Sequence, residues 1–346
     1  MQKKRIGVLG LILALGLIIN GCGNQSQENI KAGFDAIIAL EYQTALTHFE
    51  KAVEAKENPG SIARGQGIAM LGLTRYEEAA QQFIKALSYS DERVDEFDYD
   101  TNYYLATAYF KMGDMDNAEK VYSSILALKE EKDAYFLRGI VALEKGNLEA
   151  AQKDFNKALD MDKSDYELRI QVYQELMGKG YTEEAGSYLQ SALGNSKKLS
   201  EYEKGRLSYY LGDYENARNY LESIKGKKDA DTVLLLGQTY EKLGDYNYAA
   251  SIYSNYLSDH SDDVIICNHL GMCKLQSGDA QAALDYFNRA LNMEDKSMTQ
   301  TLKFNQIVAY EYLGEFDQAS VLMKKYLQSY PDDQEAIREY EFLKSR

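Results

Sequence analysis

The chain has 346 residues, with only two prolines, no tryptophan and 29 tyrosines. Since few residues interrupt a helical pattern, this composition favours long helices over sheet and predicts an all-α protein. The formal net charge is -15, and no cluster of Lys and Arg of useful size follows residue 22. Nucleic acid and anionic lipid headgroups both require a basic surface, so neither is an expected partner.

A leader-like segment opens the chain. Lys3, Lys4 and Arg5 precede an uncharged apolar run from Ile6 to Ile19, which is the order of features in a secretory signal peptide. The run is shorter than the roughly 20 apolar residues that a membrane-spanning helix needs. Positive charge before the run predicts that the rest of the chain lies outside the cytoplasmic membrane.

The stretch Ile19-Asn20-Gly21-Cys22 resembles the lipobox of bacterial lipoproteins, although Asn20 departs from the small residue usual at its place. The resemblance implies that residues 1–21 are a signal peptide, that Cys22 receives diacylglycerol, and that residues 22–29 form a flexible tether. The expected location is the extracytoplasmic face of the cell membrane, or an outer membrane if the cell has one. The alternative is a chance cysteine beside an ordinary cleavage site.

A repeat runs through the rest of the chain, in which an alanine follows a glycine by twelve residues. Three further copies have another residue in the glycine column, and the intervals lie close to about 34 residues. The glycine column contains Gly33, Gly67, Ala106, Gly139, Tyr173, Gly205, Gly237, Gly271 and Ile307. The alanine column contains Ala45, Ala79, Ala118, Ala151, Ala185, Ala217, Ala249, Ala283 and Ala319.

Two more columns complete the repeat. Four residues after the alanine comes a large apolar residue, namely Phe49, Phe83, Tyr122, Phe155, Leu189, Leu221, Tyr253, Phe287 or Met323. Seven residues after the glycine column comes a turn glycine in seven units, namely Gly113, Gly146, Gly180, Gly212, Gly244, Gly278 and Gly314. We expect the column glycine to face the alanine where two helices cross, and the large residue to fill the groove between them. The turn glycine should end the first helix with a positive φ, and a following Asp or Asn should cap the second.

These columns resemble the tetratricopeptide repeat. The resemblance covers residues 30–331, although the family's early tryptophan is absent and its unit-ending proline is in register only at Pro331. It implies a right-handed superhelical solenoid of about nine helix-turn-helix units. Residues 332–346 carry Ala336, Ile337, Tyr340 and Leu343 at helical spacing and are expected to form a C-terminal capping helix.

In this family the first helix of each unit lines a concave groove that binds polypeptides. The corresponding positions lie three before, one after, and four and five after the glycine column. They place in the groove Tyr103, Phe110, Phe136, Ile140, Leu143, Ile170, Met177, Tyr202, Arg206, Tyr209, Tyr210, Phe304 and Tyr312. Tyrosine combines rigid contact area with a hydrogen-bonding tip, so Tyr202, Tyr209 and Tyr210 are the expected anchors. The alternative is that many of these rings pack against the neighbouring unit.

Neither a metal or cofactor site nor a catalytic centre is expected. His48, His260 and His269 are scattered among distant units, and His269 with Cys273 supplies too few ligands. Cys267 and Cys273 would lie about 9 Å apart along one helix, beyond disulfide reach, and are expected to be buried thiols. The acidic stretch 91–100 lacks the glycine and the final glutamate of a calcium loop, and is expected to be a solvated linker.

The sequence therefore predicts a membrane-anchored adaptor that binds envelope or secreted proteins through the concave groove and is not an enzyme. The alternative is an extracytoplasmic peptide receptor or a holdase-type chaperone. The expected partners are proteins or peptides of the cell envelope, together with the membrane through the lipid on Cys22. A small-molecule substrate is not expected.

Overall fold

The computed structural model describes residues 27–90, 94–194 and 199–346. Every regular element in these residues is an α-helix, which confirms the all-α prediction for the described part of the chain. The predicted signal peptide, Cys22 and most of the tether lie outside these ranges. Of the helices in the described ranges, none has both the length and the apolar character that crossing a bilayer requires.

The chain divides into two compact units, the first ending at Tyr181 and the second running from Thr182 to Arg346. The helices of the first unit are α1 (Glu28–Ile38), α2 (Tyr42–Glu54), α3 (Pro59–Gly72), α4 (Tyr76–Leu87), α5 (Glu96–Met112), α6 (Met115–Leu128), α7 (Lys132–Glu144), α8 (Leu148–Met161) and α9 (Tyr166–Gly178). Those of the second unit are α10 (Thr182–Gly194), α11 (Glu201–Tyr210), α12 (Tyr214–Glu222), α13 (Ala230–Leu243), α14 (Tyr246–Leu257), α15 (Val264–Gln276), α16 (Ala280–Leu291), α17 (Thr299–Tyr312), α18 (Phe316–Ser329) and α19 (Gln334–Leu343).

Within each unit the helices pack as pairs that stack in chain order. In the first unit α1 packs on α2, α3 on α4, α5 on α6 and α7 on α8; in the second, α11 packs on α12, α13 on α14, α15 on α16 and α17 on α18. Each second helix also packs on the first helix of the next pair, as α14 does on α15. Since every pair buries one side against its neighbour, this is the packing of a helix-turn-helix repeat.

The turn within each pair has the predicted backbone. All seven turn glycines have a positive φ, between 77° and 87°. The residue that follows caps the second helix by accepting a hydrogen bond from the backbone N–H three residues later in Asp114, Asn147, Asp213, Asp245 and Asp279. Both predictions are confirmed. Glu315, after Gly314, makes no such bond, in keeping with the preference of N-caps for the shorter Asp, Asn, Ser and Thr.

In the first two pairs the turn column holds Leu40 and Thr74 instead of glycine, with φ of 61° and 62°. A left-handed backbone costs a non-glycine residue about 1–2 kcal/mol, and a β-branched residue is the least suited to it. Thr74 is exposed, so its side chain contributes little packing. We expect Thr74→Gly to raise the free energy of unfolding by about 0.5–1 kcal/mol, because relief of strain outweighs the larger entropy of glycine in the unfolded chain.

Thermal and urea unfolding followed by circular dichroism would test this, with Gly113→Ala as the reverse change. Gly113 has a φ of 81°, and an added Cβ would meet nothing within 4 Å. Any loss of stability in Gly113→Ala is therefore conformational, and we expect it to be about 1 kcal/mol. If Thr74→Gly left the unfolding midpoint unchanged or lowered it, the backbone of this turn would not be strained.

The large apolar column lies closer to the glycine column than the predicted alanine column does. A Cβ added to Gly67 would lie 2.5 Å from the ring of Phe83, and one added to Gly237 would lie 2.2 Å from the ring of Tyr253. The alanine column is fully buried, but the large apolar column, at most 1% exposed in all nine units, fills the space opposite the glycines. The reason is that helical side chains lean toward the N-terminus of their helix, so a ring covers the turn before its own Cα.

The acidic stretch 91–100 is not a solvated linker in its described part. α5 begins at Glu96, and Asp95 and Asp98 cap it reciprocally, each side chain accepting from the other's backbone N–H. Asp100 is 7% exposed and pairs with Arg64 of α3 at 3.1 Å. Carboxylates remain buried where partners satisfy them, and here the partner comes from another helix pair.

Local contacts hold the first helix of the first unit and the last helix of the second unit. α1 begins at Glu28, inside the segment predicted as a tether, because the buried Glu57 accepts hydrogen bonds from the backbone N–H groups of Asn29 at 3.2 Å and Ile30 at 2.9 Å. Those donors would otherwise lack partners at the helix start. At the other end α19 packs on α18, at the place predicted for the capping helix.

Candidate binding surface

The predicted groove residues of the first unit are mostly buried. Tyr103 and Phe136 are each 3% exposed. The Tyr103 hydroxyl donates to Glu131 Oε2 at 2.9 Å, and the ring of Phe136 lies 5.8 Å from that of Phe155. Ile140, Leu143 and Ile170 are also buried, whereas Phe110 and Met177 are half-buried. The first unit therefore leaves little of its predicted groove accessible to a partner.

The predicted groove residues of the second unit all keep accessible surface. Tyr312 is 62% exposed, and the half-buried members are Tyr202, Arg206, Tyr209, Tyr210 and Phe304. The first helices α11, α13, α15 and α17 contact one another in series. Helical periodicity then brings the groove columns of these helices onto one side. We define the first-helix face of the second unit as the column residues Tyr202, Arg206, Tyr209, Tyr210, Leu234, Gln238, Glu241, Met272, Phe304, Val308 and Tyr312, together with the exposed Ile265, which lies about one helical turn before the column residue Asn268.

The tyrosines of α11 form an aromatic group that is partly anchored in the core. The Tyr209 ring lies 5.8 Å from Tyr210 and 5.5 Å from Tyr214, edge-on to both. Tyr202 and Tyr209 also pack against a buried cluster formed by Leu221, Leu235 and Leu236. Packing against the neighbouring pair therefore accounts for part of the surface of these two rings, as the alternative interpretation expects.

Burial changes the titration of these tyrosines. It raises the pKa of Tyr202 to about 12, a shift that the nearby Arg206 charge partly opposes. Burial also raises the pKa of Tyr209. Both phenols are therefore neutral at physiological pH, and each can donate and accept hydrogen bonds.

A polar cluster joins α13, α14 and α15. Oε1 of Glu241 accepts from the Tyr253 hydroxyl at 2.7 Å and lies 2.9 Å from Nδ1 of His269. Nε2 of Gln238 lies 3.3 Å from the other ring nitrogen of His269. Sequence reasoning did not find this cluster, although Gln238 and Glu241 occupy groove columns of the seventh unit and could have signalled it. These side chains form hydrogen bonds with one another, so the cluster is suited to hold the three helices in place.

The remaining candidate metal ligands and thiols lie as follows. Cys267 and Cys273 are free and buried, as predicted. His48 is half-buried on α2, and the exposed His260 stacks on Tyr256 with ring centroids 4.3 Å apart. Across the described ranges, no three or more His, Cys, Asp or Glu side chains are grouped so that they could hold a metal ion.

Sequence comparison finds the same repeat. Residues 102–166 and 234–298 match one family description of the tetratricopeptide repeat, and residues 302–333 match a second. The first two matches fall on helices α5–α8 and α13–α16 with their flanking turns, and the third falls on α17 and α18. The matches therefore coincide with stacked helix pairs.

Two curated relatives extend over most of the chain. The chain is 26% identical over 248 residues to TPR repeat-containing protein MJ1428 of Methanocaldococcus jannaschii, which covers 67% of this chain and 42% of that protein. It is 25% identical over 238 residues to BBSome complex member bbs-4 of Caenorhabditis elegans, which covers 63% of this chain and 50% of that protein. The chain thus spans half or less of the length of these two relatives.

Solved structures of the same class are also similar. A tetratricopeptide repeat protein from Parabacteroides merdae matches 82% of this chain and 98% of its own at a TM-score of 0.44 and 15% identity. YrrB, another TPR protein, matches 54% of this chain and 97% of its own at a TM-score of 0.38 and 21% identity. Tetratricopeptide repeats are scaffolds for protein–protein interaction and are typically non-catalytic. The stacked helix pairs and the family matches together show that this chain contains tetratricopeptide repeats.

Proposed function

We propose that this protein is a membrane-anchored adaptor without catalytic activity, which binds envelope or secreted polypeptides through the first-helix face of its second unit. The observation that carries the proposal is the accessibility of this face. Its aromatic and aliphatic side chains keep solvent-exposed surface, whereas their counterparts in the first unit are mostly buried.

The exposed side chains of the face are apolar or aromatic, as expected for a surface that a partner covers. Tyr312 of α17 is 62% exposed and Ile265 of α15 is 43% exposed, and Met272 and Val308 of the same two helices are half-buried. Covering such groups removes apolar surface from water, and each tyrosine adds a hydrogen-bonding hydroxyl. This combination supports recognition of a polypeptide.

The charges on the face support the same class of partner. Arg206 and Glu241 carry opposite charges, so the face lacks the run of basic groups that a phosphate backbone would need. Burial keeps Tyr202 neutral. Shape, apolar contact and neutral hydrogen bonds would then provide most of the affinity.

We expect photo-crosslinking from position 312 to capture polypeptide partners in the native cell. Incorporating p-benzoylphenylalanine in place of Tyr312 should give discrete crosslinked bands, because this side chain lies on the proposed face and is 62% exposed. Once a captured partner is purified, Tyr312→Ala should weaken its binding by about tenfold or more, the effect of losing one well-packed aromatic anchor. Mass spectrometry of the bands and a titration of the variant provide the two measurements.

Tyr89 provides the matched control, since it is 52% exposed and follows the second helix α4 of another pair. Equal crosslinking from positions 89 and 312, or unchanged affinity in Tyr312→Ala with an intact circular dichroism spectrum, would remove the face from the proposal. The size of the captured species decides between the two functions. Folded envelope proteins support the adaptor, and a heterogeneous set of short peptides supports the peptide receptor or holdase.

The membrane anchor rests on the lipobox-like residues that end at Cys22, outside the described ranges. Intact-mass spectrometry of the protein extracted from its native membrane should show a chain that begins at Cys22 and carries diacylglycerol. A mass equal to the unmodified mature chain, recovered from the soluble fraction, would show that the protein is secreted without an anchor.

A further inference from the structure

The last helix of the second unit is held by a small apolar contact. Ala336 and Leu343 of α19 are buried in a cluster with Ile307 of α17 and with Met323 and Tyr326 of α18. A helix with one packed side and few buried residues opens at lower free energy than the core of the array. Other interactions at this contact therefore have a large effect on the docking of α19.

Two glutamates meet at the contact. Glu311 comes from α17 and Glu339 from α19, and the Glu311 carboxyl lies close enough to Glu339 to share a hydrogen with it. Oε1 of Glu311 is buried and accepts no hydrogen bond from any described donor. Two ionised carboxylates have no hydrogen to share, so the contact is satisfied only when one of them is protonated.

Cations do not neutralise the pair. In the described ranges, no ion pair joins Glu311 or Glu339 to a Lys, Arg or His nitrogen, and the charge that raises the pKa of Glu311 is that of Glu339. The basic residues nearby in sequence are otherwise placed. On α18, Lys324 and Lys325 are exposed, and so is Arg338, which precedes Glu339 on α19.

The basic residues at the end of α19 are engaged elsewhere. Lys344 pairs with Glu341 at 2.5 Å, and the Arg346 guanidinium lies 4.8 Å above the ring of Phe342 and 5.5 Å from that of Phe316. Burial, followed by the Glu339 charge, raises the pKa of Glu311 to about 7. Its protonation thus changes within the ordinary range of environmental pH.

We propose that α19 is a proton-controlled cap, which docks more firmly while Glu311 and Glu339 share one proton and opens more often once that proton is lost. The sign follows from linkage. A carboxyl whose pKa in the folded protein lies above the ordinary pKa of a glutamate holds its proton more tightly when folded. Its contribution to docking is therefore complete at low pH and disappears as the pH rises through about 7. Opening uncovers the apolar surface of α17 and α18 at this end of the second unit.

Hydrogen exchange with mass spectrometry tests this on the full mature chain. After correction for intrinsic exchange rates, peptides from α19 should lose protection by up to about tenfold between pH 6 and pH 8. Peptides from α13, which lies away from the pair, should not change. Glu311→Gln and Glu339→Gln should each keep α19 protected at both pH values, because a neutral amide can donate the hydrogen that the shared proton supplied.

Glu341→Gln is the matched control, since it removes the same charge from the exposed side of α19 and should leave the pH dependence intact. Equal α19 protection at pH 6 and pH 8 in the unaltered protein would overturn the proposal. So would full pH dependence in both Glu311→Gln and Glu339→Gln. The result is independent of the first-helix face, because no binding partner is present.

Discussion

Replacing Asp100 by alanine is expected to lower the free energy of unfolding of the first unit by about 3–5 kcal/mol. Asp100 of α5 pairs with Arg64 of α3 at 3.1 Å, and the Arg64 side chain is only 4% exposed. The guanidinium also lies 5.2 Å from the ring centroid of Phe97 and 5.9 Å from that of Tyr104. Among the described residues, this buried charge has no counter-ion without Asp100, and its Nε already lacks a hydrogen-bond partner.

The size of the effect comes from the unpaired charge, which a double replacement should demonstrate. Burial raises the pKa of Asp100 even though Arg64 opposes the shift, so the pair carries a substantial desolvation penalty. We therefore expect Arg64→Met with Asp100→Leu to be far more stable than Asp100→Ala, and close to the unaltered protein.

Urea unfolding followed by circular dichroism, together with hydrogen exchange of α3 and α5, gives the comparison. Glu78→Ala is the control, because it breaks the exposed pair that Glu78 forms with Arg75 and should have no measurable effect. If Asp100→Ala and Glu78→Ala unfolded alike, the Arg64 charge would have to be solvated in the variant.

Gly139→Ala is expected to lower the free energy of unfolding by about 1–3 kcal/mol. The added Cβ would lie 2.6 Å from the ring of Phe155 and 3.3 Å from the backbone oxygen of Ala151. Phe155 is fully buried, so its ring cannot move aside without displacing close-packed neighbours. One methyl group would thus force α7 and α8 apart.

Phe155→Met should relieve part of this strain, because methionine is unbranched and adapts to irregular space. The ninth pair already combines a larger residue in the glycine column with a methionine in the large apolar column. Ile307 and Met323 are buried there in one cluster. A thermodynamic cycle over the two single variants and the double variant should therefore give a loss smaller than the sum of the single losses.

Gly178→Ala is the matched control, because an added Cβ there meets nothing within 4 Å and the backbone is not left-handed. We expect it to keep or slightly raise stability, as alanine favours a helix more than glycine does. A loss in Gly178→Ala equal to that in Gly139→Ala would attribute the effect to backbone preference and not to the ring.

The sequence by itself determined the helix pairs, because the rules that make them act over a few residues. Gly113 ends one helix with a positive φ, and Asp114 caps the next. Both effects depend on local backbone geometry and not on the packing of distant residues. Helical periodicity alone predicts that the alanine and large apolar columns are buried. The same periodicity places the columns of the first helices on one side of each helix, and Tyr312 in one of these columns is exposed.

Only the tertiary structure decided which groups meet and which keep contact with water. Tyr103 occupies a groove column yet is buried, and the acidic residue Asp100 lies in the interior beside Arg64. Glu311 and Glu339 are ordinary glutamates in the sequence, and they become a coupled pair where α19 meets α17. Desolvation and close packing depend on side chains that are distant along the chain, so no local pattern encodes them.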